Sequence, residues 1–336
     1  MSNKGKTVSI VLCTYNGERY LRQQLDTVVG QTYPLHEVII QDDGSTDGTM
    51  SILAEYQQRY PFVKVLQNEA DHGVNGNFFS AMRHATGDLI AICDQDDIWE
   101  LQKIERMTAT IGDALMCSCR TKPFSDDGSQ VGYDERTPNY RLPRLLFASV
   151  LGHSMLFRRE LLDMLPDTRQ TYYHTVYDVL LGVTAAACGR IVVCNEILVH
   201  QRRYAAATTI SVYDFDKRRT PSMANGLYIL WWSACHCRMV RPKLKEVFRH
   251  RQAMLEAIRG ASSAEYRDAI RICQLEGQLG LLSIVQLSML FVRHRRHLFY
   301  TEGKGLVNMA RALLYPIMQL YDYRYLIEKT EDQHQQ

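Results

Sequence analysis

Residues 90–99 read IAICDQDDIW. Three carboxylates, Asp94, Asp96 and Asp97, fall within four positions directly after the apolar run from Leu89 to Cys93. Like charges this close repel and raise one another's pKa unless something positive sits among them. The stretch is either a solvated turn or a cation site, and the surrounding fold decides which.

Upstream of it, strands and helices alternate. VSIVLCT (8–14) is a β-branched run that stops at Thr14-Tyr15-Asn16, and 17–32 has helical spacing ending near Gly30. HEVIIQDDGSTDGT (36–49) is a second strand closed by turn residues, with a helix over 45–60. FVKVLQN (62–68), NGNFFSAMRHA (75–85) and GDLIAIC (87–93) give a third strand, a third helix and a fourth strand. Repeated βαβ units predict a parallel sheet with helices on both faces. Ligands bind such sheets beyond the carboxyl ends of the strands. The polar clusters at 14–16, 42–45 and 94–97 each follow a strand, so they share one edge. One Asp-rich turn alone reads as a satisfied turn; three at corresponding strand ends read as a site. No G-x-G-x-x-G follows the first strand and there is no Walker A loop, which disfavours an NAD enzyme and a P-loop. Hard carboxylate oxygens suit Mg2+ or Mn2+ with a shell completed by phosphate and water. The charge is expected to hold a metal–diphosphate.

The chain has 336 residues, long enough for a full α/β core with an appendage. Its net charge of +2 hides an asymmetry: 20 Lys+Arg against 26 Asp+Glu over 1–214, and 19 against 11 over 215–336. The difference in the second segment, 19 − 11 = +8, suggests an anionic partner, with a membrane surface preferred to nucleic acid. The nine cysteines have no metal spacing and read as thiols in a reducing cytoplasm. The run from Val8 to Cys13 is too short for a secretory signal, and no charge-free stretch has the length of a spanning helix.

The order VSIVLCTYNGERYLRQQLDTVVGQTYP, EVIIQDDGSTDGT, GVNGNFFSAMRHATGDLIAICDQDDIW resembles the nucleotide-sugar domain of family-2 glycosyltransferases over 7–110. The DQDDIW string with Asn77-Phe78 is similar to a subgroup of rhamnosyltransferases. The resemblance implies a GT-A fold over 1–215, with a donor half at 7–110 and an acceptor half at 111–215, and inversion by a single displacement. It implies donor contacts from Thr14, Tyr15, Asn16, Glu18, Asn77, Gln95 and Asp97, with Asp42 or Asp43 on the base. Asp94 and Asp96 match the D-x-D whose carboxylates reach Mn2+ or Mg2+; which two of Asp94, Asp96 and Asp97 do so is open. Trp99 is expected to pack beneath the motif.

In the second half, SVLGHSMLFRRELL (149–162) resembles the segment that faces the acceptor, placing Gly152 and His153 there. YYHTVYDVLLG (172–182) resembles the helix start that carries the general base, which would be Asp178, or else Asp178 is a helix cap. Tyr177 stands where relatives have an acid or His. In EILVHQRRYAAATTIS, Arg202 and Arg203 are expected on the diphosphate, His200 is a metal ligand or a strand residue, and Tyr204 replaces an expected His. The implied partners are a nucleoside diphosphate sugar (dTDP-rhamnose or a UDP-sugar) and a glycan or lipid-linked glycan acceptor. Residues 216–336 read as helical: core helices, or helices on the inner face of the cytoplasmic membrane through 293–297 with Leu287, Met289, Leu290 and Phe291. Two other readings exist, a haloacid-dehalogenase-type phosphatase and a non-catalytic scaffold of glycan assembly.

Overall fold

The computed structural model describes residues 5–69, 71–126, 128, 131–166, 175–204, 223–278, 280–300 and 305–327. The amino-terminal half alternates as its periodicity predicts: β1 (Val8–Thr14), α1 (Glu18–Val29), β2 (Glu37–Asp42), α2 (Thr49–Arg59), β3 (Val63–Gln67), α3 (Val74–Arg83) and β4 (Leu89–Cys93). The short β5 (Ile98–Trp99) and α4 (Lys103–Ile111) follow. Every residue of β1, β2 and β4 is buried, the mark of strands covered on both faces. In α1 the buried positions Leu21, Gln24, Leu25 and Val28 recur at helical spacing and turn one stripe to the sheet.

The second half adds β6 (Met116–Phe124), α5 (Leu142–Leu145), β7 (Met155–Arg158), α6 (Leu161–Met164), α7 (Tyr177–Cys188) and β8 (Ile191–Arg202). All strands join one eight-stranded sheet in the order β3-β2-β1-β4-β7-β6-β8-β5. The pairs β1–β2, β1–β4, β2–β3 and β6–β8 are parallel; β4–β7, β6–β7 and β5–β8 are antiparallel. Thr14 lies opposite Asp42, and Leu12 opposite Cys93, so the three polar clusters do leave the sheet along one edge.

Helices cover both faces. On one, Leu25 of α1, Leu53 of α2 and Met107 of α4 pack with Leu12 and Trp99. Trp99 is buried with the Lys103 ammonium 3.2 Å from its ring centroid, so it packs beneath the carboxylates. On the other face, Phe78 and Leu181 belong to a core that continues into the carboxy-terminal helices through Leu255, Phe291 and Tyr315. Those helices are α8 (Met223–Glu256), α9 (Ala264–Glu276), α10 (Leu281–Arg293) and α11 (Leu306–Met318). The expected domain boundary at 215/216 lies in 205–222, outside the described residues. Leu287 and Phe291, expected to face a membrane, are fully buried because they form the seam of α10 with the core. No helix among the described residues is long and apolar enough to cross a membrane.

One close approach ties the turn at Gly152 to α7. Tyr177 stacks on Phe78 with centroids 4.2 Å apart, and its hydroxyl lies over Gly152, where an added Cβ would come within 2.0 Å of it. The tyrosine found in place of an acid or His is therefore a packing residue that requires a glycine beneath it. Gly152→Ala must push this buried ring aside and is expected to cost about 1–3 kcal/mol, the usual range for overpacking. Urea unfolding measures it, and an unchanged midpoint would show that Tyr177 swings away freely.

Candidate active site

Asp94 lies one residue beyond β4 and Asp97 one residue before β5. Because β7 runs antiparallel to β4, with Leu156 opposite Ala91, the 3-10 turn Gly152–Ser154 that precedes β7 sits off the same end of β4. Ser154 Oγ is 2.9 Å from Ser118 Oγ and donates to the Leu151 carbonyl at 2.7 Å, which fixes the turn. His153 is thereby buried with Nδ1 3.1 Å from Asp94 Oδ2 and 3.3 Å from Asp97 Oδ2. The ligand atoms of Asp94, Asp97 and His153 all lie within 4.8 Å of one another.

The electrostatics follow from this crowding. Burial pushes the Asp97 carboxyl well up, and Asp94 and Asp96 push it further; His153 and the Arg202 backbone N–H oppose them. Asp96 is raised by burial and then by Asp94. Burial pulls His153 down, but Asp97 and Asp94 outweigh it and hold the imidazole above its ordinary value. Asp97 Oδ2 is buried with no hydrogen-bond partner other than the ionic contact to His153. An orphaned carboxylate oxygen beside a second carboxylate and an imidazole nitrogen is a donor set that fits a divalent cation.

The pair β5–β8 brings a second group to the carboxylates by setting His200 opposite Ile98. The Arg202 backbone N–H donates to Asp97 Oδ1 at 3.1 Å and its Nε to the Asp96 carbonyl at 2.9 Å. Its other nitrogens donate to Gln23 Oε1 and Asp126 Oδ1, and its guanidinium lies between the Tyr20 and Phe124 rings. The Tyr204 hydroxyl donates to Asp96 Oδ2 at 2.7 Å. A cavity of about 190 Å³ opens beside Asp96, lined by Asn16, Gly17, Arg19, Tyr20, Gln95 and Tyr204.

Several expected positions look different in this geometry. Arg202 was expected on the diphosphate, but it is buried and all its nitrogens serve the protein, so it buttresses the 96–97 turn. Asp42 is buried and accepts from Thr14 Oγ1, Ser45 Oγ and the backbone of Gly44 and Ser45, so Thr14 and Asp42 close a turn and offer a base no free edge. Asp43 accepts from Asn68, the Gly73 backbone and His72 while staying nearer the surface. Asn77 is buried and its amide nitrogen donates to the Gln41 carbonyl. Glu18 accepts from Gly48 N, while Asp47 accepts from Glu18 N. His200 is not in the cluster: its Nε2 is 2.7 Å from Glu100 Oε1. Nor is Asp96, whose Oδ2 accepts a hydrogen bond from the Tyr204 hydroxyl.

Other expected residues converge. Tyr15 is exposed, and the Gln95 amide brackets it, accepting from Tyr15 N and donating to Tyr15 O. Asn16 has φ 48°, a left-handed turn that asparagine tolerates. Its side chain accepts from Thr46 N and so ties the first cluster to the second. The Arg203 backbone N–H donates to the Phe124 carbonyl. Asp178 lies in the first turn of α7 behind the cap residue Val176, with Oδ1 accepting from Val179 N at 2.7 Å, so it is not the cap. Burial raises its carboxyl to about 6, Asp94 adding and His153 opposing. Asn75, which sequence reasoning passed over, sets this turn by accepting from Tyr177 N and donating to the Thr175 carbonyl.

The chain is similar to known proteins over the segment that carries this site. The family profile described as Glycosyl transferase family 2 matches residues 9–165. That segment is similar to family 2 glycosyltransferase domains. It carries β1 to α6, with Asp94, Asp97 and His153 all inside it. The uncharacterized protein Rv1520 of Mycobacterium tuberculosis is 30% identical over 227 residues, 63% of each chain. The glucosyltransferase WfgD of Escherichia coli, which acts from UDP-Glc on a GlcNAc-diphosphoundecaprenol, is 36% identical over 98 residues, 29% of this chain and 38% of that one. The chain thus spans less than two thirds of the length of these relatives. Staphylococcus aureus TarS 1–349 in complex with UDP-GlcNAc has TM-score 0.55 at 17% identity, covering 95% of this chain and 92% of that one. At that identity the likeness is one of fold: a GT-A-like sheet with a helical carboxy-terminal region. The rhamnosyltransferase subgroup finds no counterpart among these relatives.

The cluster separates two neighbouring aspartates by role. Asp97→Asn is expected to weaken Mn2+-dependent binding of a nucleoside diphosphate by roughly tenfold or more, the scale of disturbing a metal shell. Asp96→Asn, which removes a neighbouring charge and alters the Tyr204 contact but takes no atom from the cluster, should keep the gain in affinity that Mn2+ gives. Calorimetry with and without Mn2+ reads both; the opposite ranking would return the ligand role to Asp96.

Proposed function

We propose that this protein is an inverting glycosyltransferase that moves a sugar from a nucleoside diphosphate to a glycan hydroxyl during cell-surface polysaccharide synthesis. The observation that carries this reading is the meeting of Asp94, Asp97 and His153, the last two buried, just beyond the carboxyl end of β4 and within the segment that the family 2 profile matches. The named relatives act in the same sense: WfgD transfers from UDP-Glc to a lipid diphosphate, and TuaG of Bacillus subtilis is a putative teichuronic acid glycosyltransferase.

In this reading Asp94, Asp97 and His153 would hold Mn2+ or Mg2+, which stabilises charge on the departing diphosphate. Arg203 takes the diphosphate contact that Arg202 cannot make. Tyr15 and Asp43 face the base, and Gln95 holds Tyr15 in place. Tyr204 keeps Asp96 oriented at the mouth of the cavity. Gly152 lets the acceptor segment lie close against Tyr177. Asp178 is the base. With its carboxyl raised to about 6 it is ionised at neutral pH yet basic enough to take the acceptor proton as the oxygen attacks. The donor is a UDP-sugar or dTDP-rhamnose, and DQDDIW with Asn77-Phe78 is the sequence basis for the second. Lipid-linked acceptors would place the enzyme on the inner face of the cytoplasmic membrane.

Asp178→Asn is expected to cut transfer by roughly 10²–10⁴-fold, the scale of a lost general base, with donor affinity nearly unchanged. Wild-type transfer should fall as pH drops through about 6, as Asp178 takes up its proton. The stability sign runs the other way from a paired aspartate. Because the folded-state value lies above the ordinary 3.8, ionisation costs stability as pH rises from there through about 6. The variant should therefore be at least as thermally stable as wild type at pH 8. A stable variant with full activity would remove Asp178 from the reaction. No hydrolysis of any UDP- or dTDP-sugar by the wild type, with Mn2+ or Mg2+, would favour the scaffold instead.

A further inference from the structure

Among the described residues, seventeen large hydrophobic side chains are exposed, and nine of them lie on α10 and α11. Leu281, Leu282 and Met289 of α10 are 83%, 71% and 66% exposed; Leu306 and Val307 of α11 are 77% and 83% exposed. A folded monomer rarely shows so much apolar surface in one place without a use for it. The two helices contain no Asp or Glu.

The helices pack together in antiparallel fashion. Ser288 Oγ donates to the Leu313 carbonyl, and Asn308 Nδ2 donates to the Arg295 carbonyl across the other end of the pair. The inward faces are already used: Leu287 and Phe291 of α10 and Ala312 and Tyr315 of α11 are core. The outward stripe of α10 runs Leu282, Val285, Met289, Arg293 and, past the helix end, Arg296, at spacings of three and four. It is apolar for two turns and then cationic. Arg293 and His294 share Asp268 of α9 as a counterion. Residues 281–318 hold five Lys+Arg against one acidic residue, 5 − 1 = +4.

We infer that the α10–α11 pair is a membrane-docking surface that lies in the plane of a leaflet rich in anionic phospholipid. Its apolar side chains enter the acyl boundary, and Arg293, Arg295 and Arg296 meet the headgroup phosphates. Helices with an apolar face and a basic margin bind membranes in this way. Charge decides between this occupant and a second copy of the chain. A second copy would bring the same arginines and, from these helices, no carboxylate to pair with them, whereas an anionic leaflet complements both the leucines and the arginines. The inference deepens the membrane part of the proposed function and corrects its chemistry, since the inserting residues are Leu282, Met289 and Val307 rather than the buried Leu287 and Phe291.

The test is flotation of the full chain with acceptor-free vesicles of phosphatidylglycerol, phosphatidylcholine, or an equal mixture. Wild type is expected to float with the anionic vesicles and to stay partly bound in high salt, because the apolar contribution is not screened. Leu282→Glu/Met289→Glu/Val307→Glu should abolish flotation, while Arg295→Gln/Arg296→Gln should weaken it roughly fivefold per charge on anionic vesicles alone. These side chains are on the surface, and an unchanged thermal midpoint and unchanged nucleoside diphosphate binding by each variant confirm that the fold and donor site persist. Wild type left at the bottom of the gradient with every vesicle overturns the inference, as does a glutamate variant that floats like wild type. A wild-type dimer in sedimentation that the glutamate variant converts to monomer, with no flotation, assigns the surface to a second copy. Donor hydrolysis in solution without vesicles is read separately, so failure here leaves the glycosyltransferase reading standing, and the reverse.

Discussion

Asp97 is buried beside the half-buried Asp94 at the end of a strand, two carboxylates this close repel unless something positive lies among them, and the site is organised around that constraint. Asp94 and Asp97 meet the His153 imidazole at 3.1 and 3.3 Å, and burial strengthens the repulsion and the attraction alike. His153 reaches them because β7 runs against β4 and delivers the 152–154 turn to the same sheet edge. The turn stays there because Tyr177 packs over Gly152 and onto Phe78. The electrostatics of the site and the packing of α7 against the 152–154 turn are thus one problem.

The protein also limits how far the charge can spread. Arg202 lies beneath the 96–97 turn, with its backbone N–H on Asp97 and its guanidinium held between Tyr20 and Phe124. Tyr204 donates to Asp96 and holds that carboxylate at the cavity wall. An imidazole is a modest counter-charge for two carboxylates, and the orphaned Asp97 Oδ2 records what it leaves unmet. A divalent cation would meet that need, and a diphosphate would then bind where the negative charge has been turned positive.

The first four strands, their shared edge and the carboxylates at 94–97 were legible in the sequence because each is local: an apolar run, a helical stripe, a polar turn. The roles around them were not, because they depend on strand pairings between distant segments. His153 becomes a candidate ligand only through β4–β7, and Arg202 and Tyr204 meet the carboxylates only through the two-residue strand β5, too short to leave a periodic signal. Thr14, Asp42 and Asn77 show the converse difficulty. Their residue types suit a ligand, yet those same groups satisfy the strand ends internally, and a sequence does not show which use has been made of them. His153 did leave a trace, in the polar pair His153-Ser154 between a glycine and the apolar MLF of β7.

The most direct test of the central claim is the nitrogen signature of Mn2+ bound to the wild-type protein with a nucleoside diphosphate, read by electron spin echo modulation. The account predicts one directly coordinated imidazole nitrogen, lost in His153→Ala and retained in His200→Ala. Tightly bound Mn2+ with oxygen ligands alone, or coupling that disappears with His200 and survives loss of His153, would contradict it.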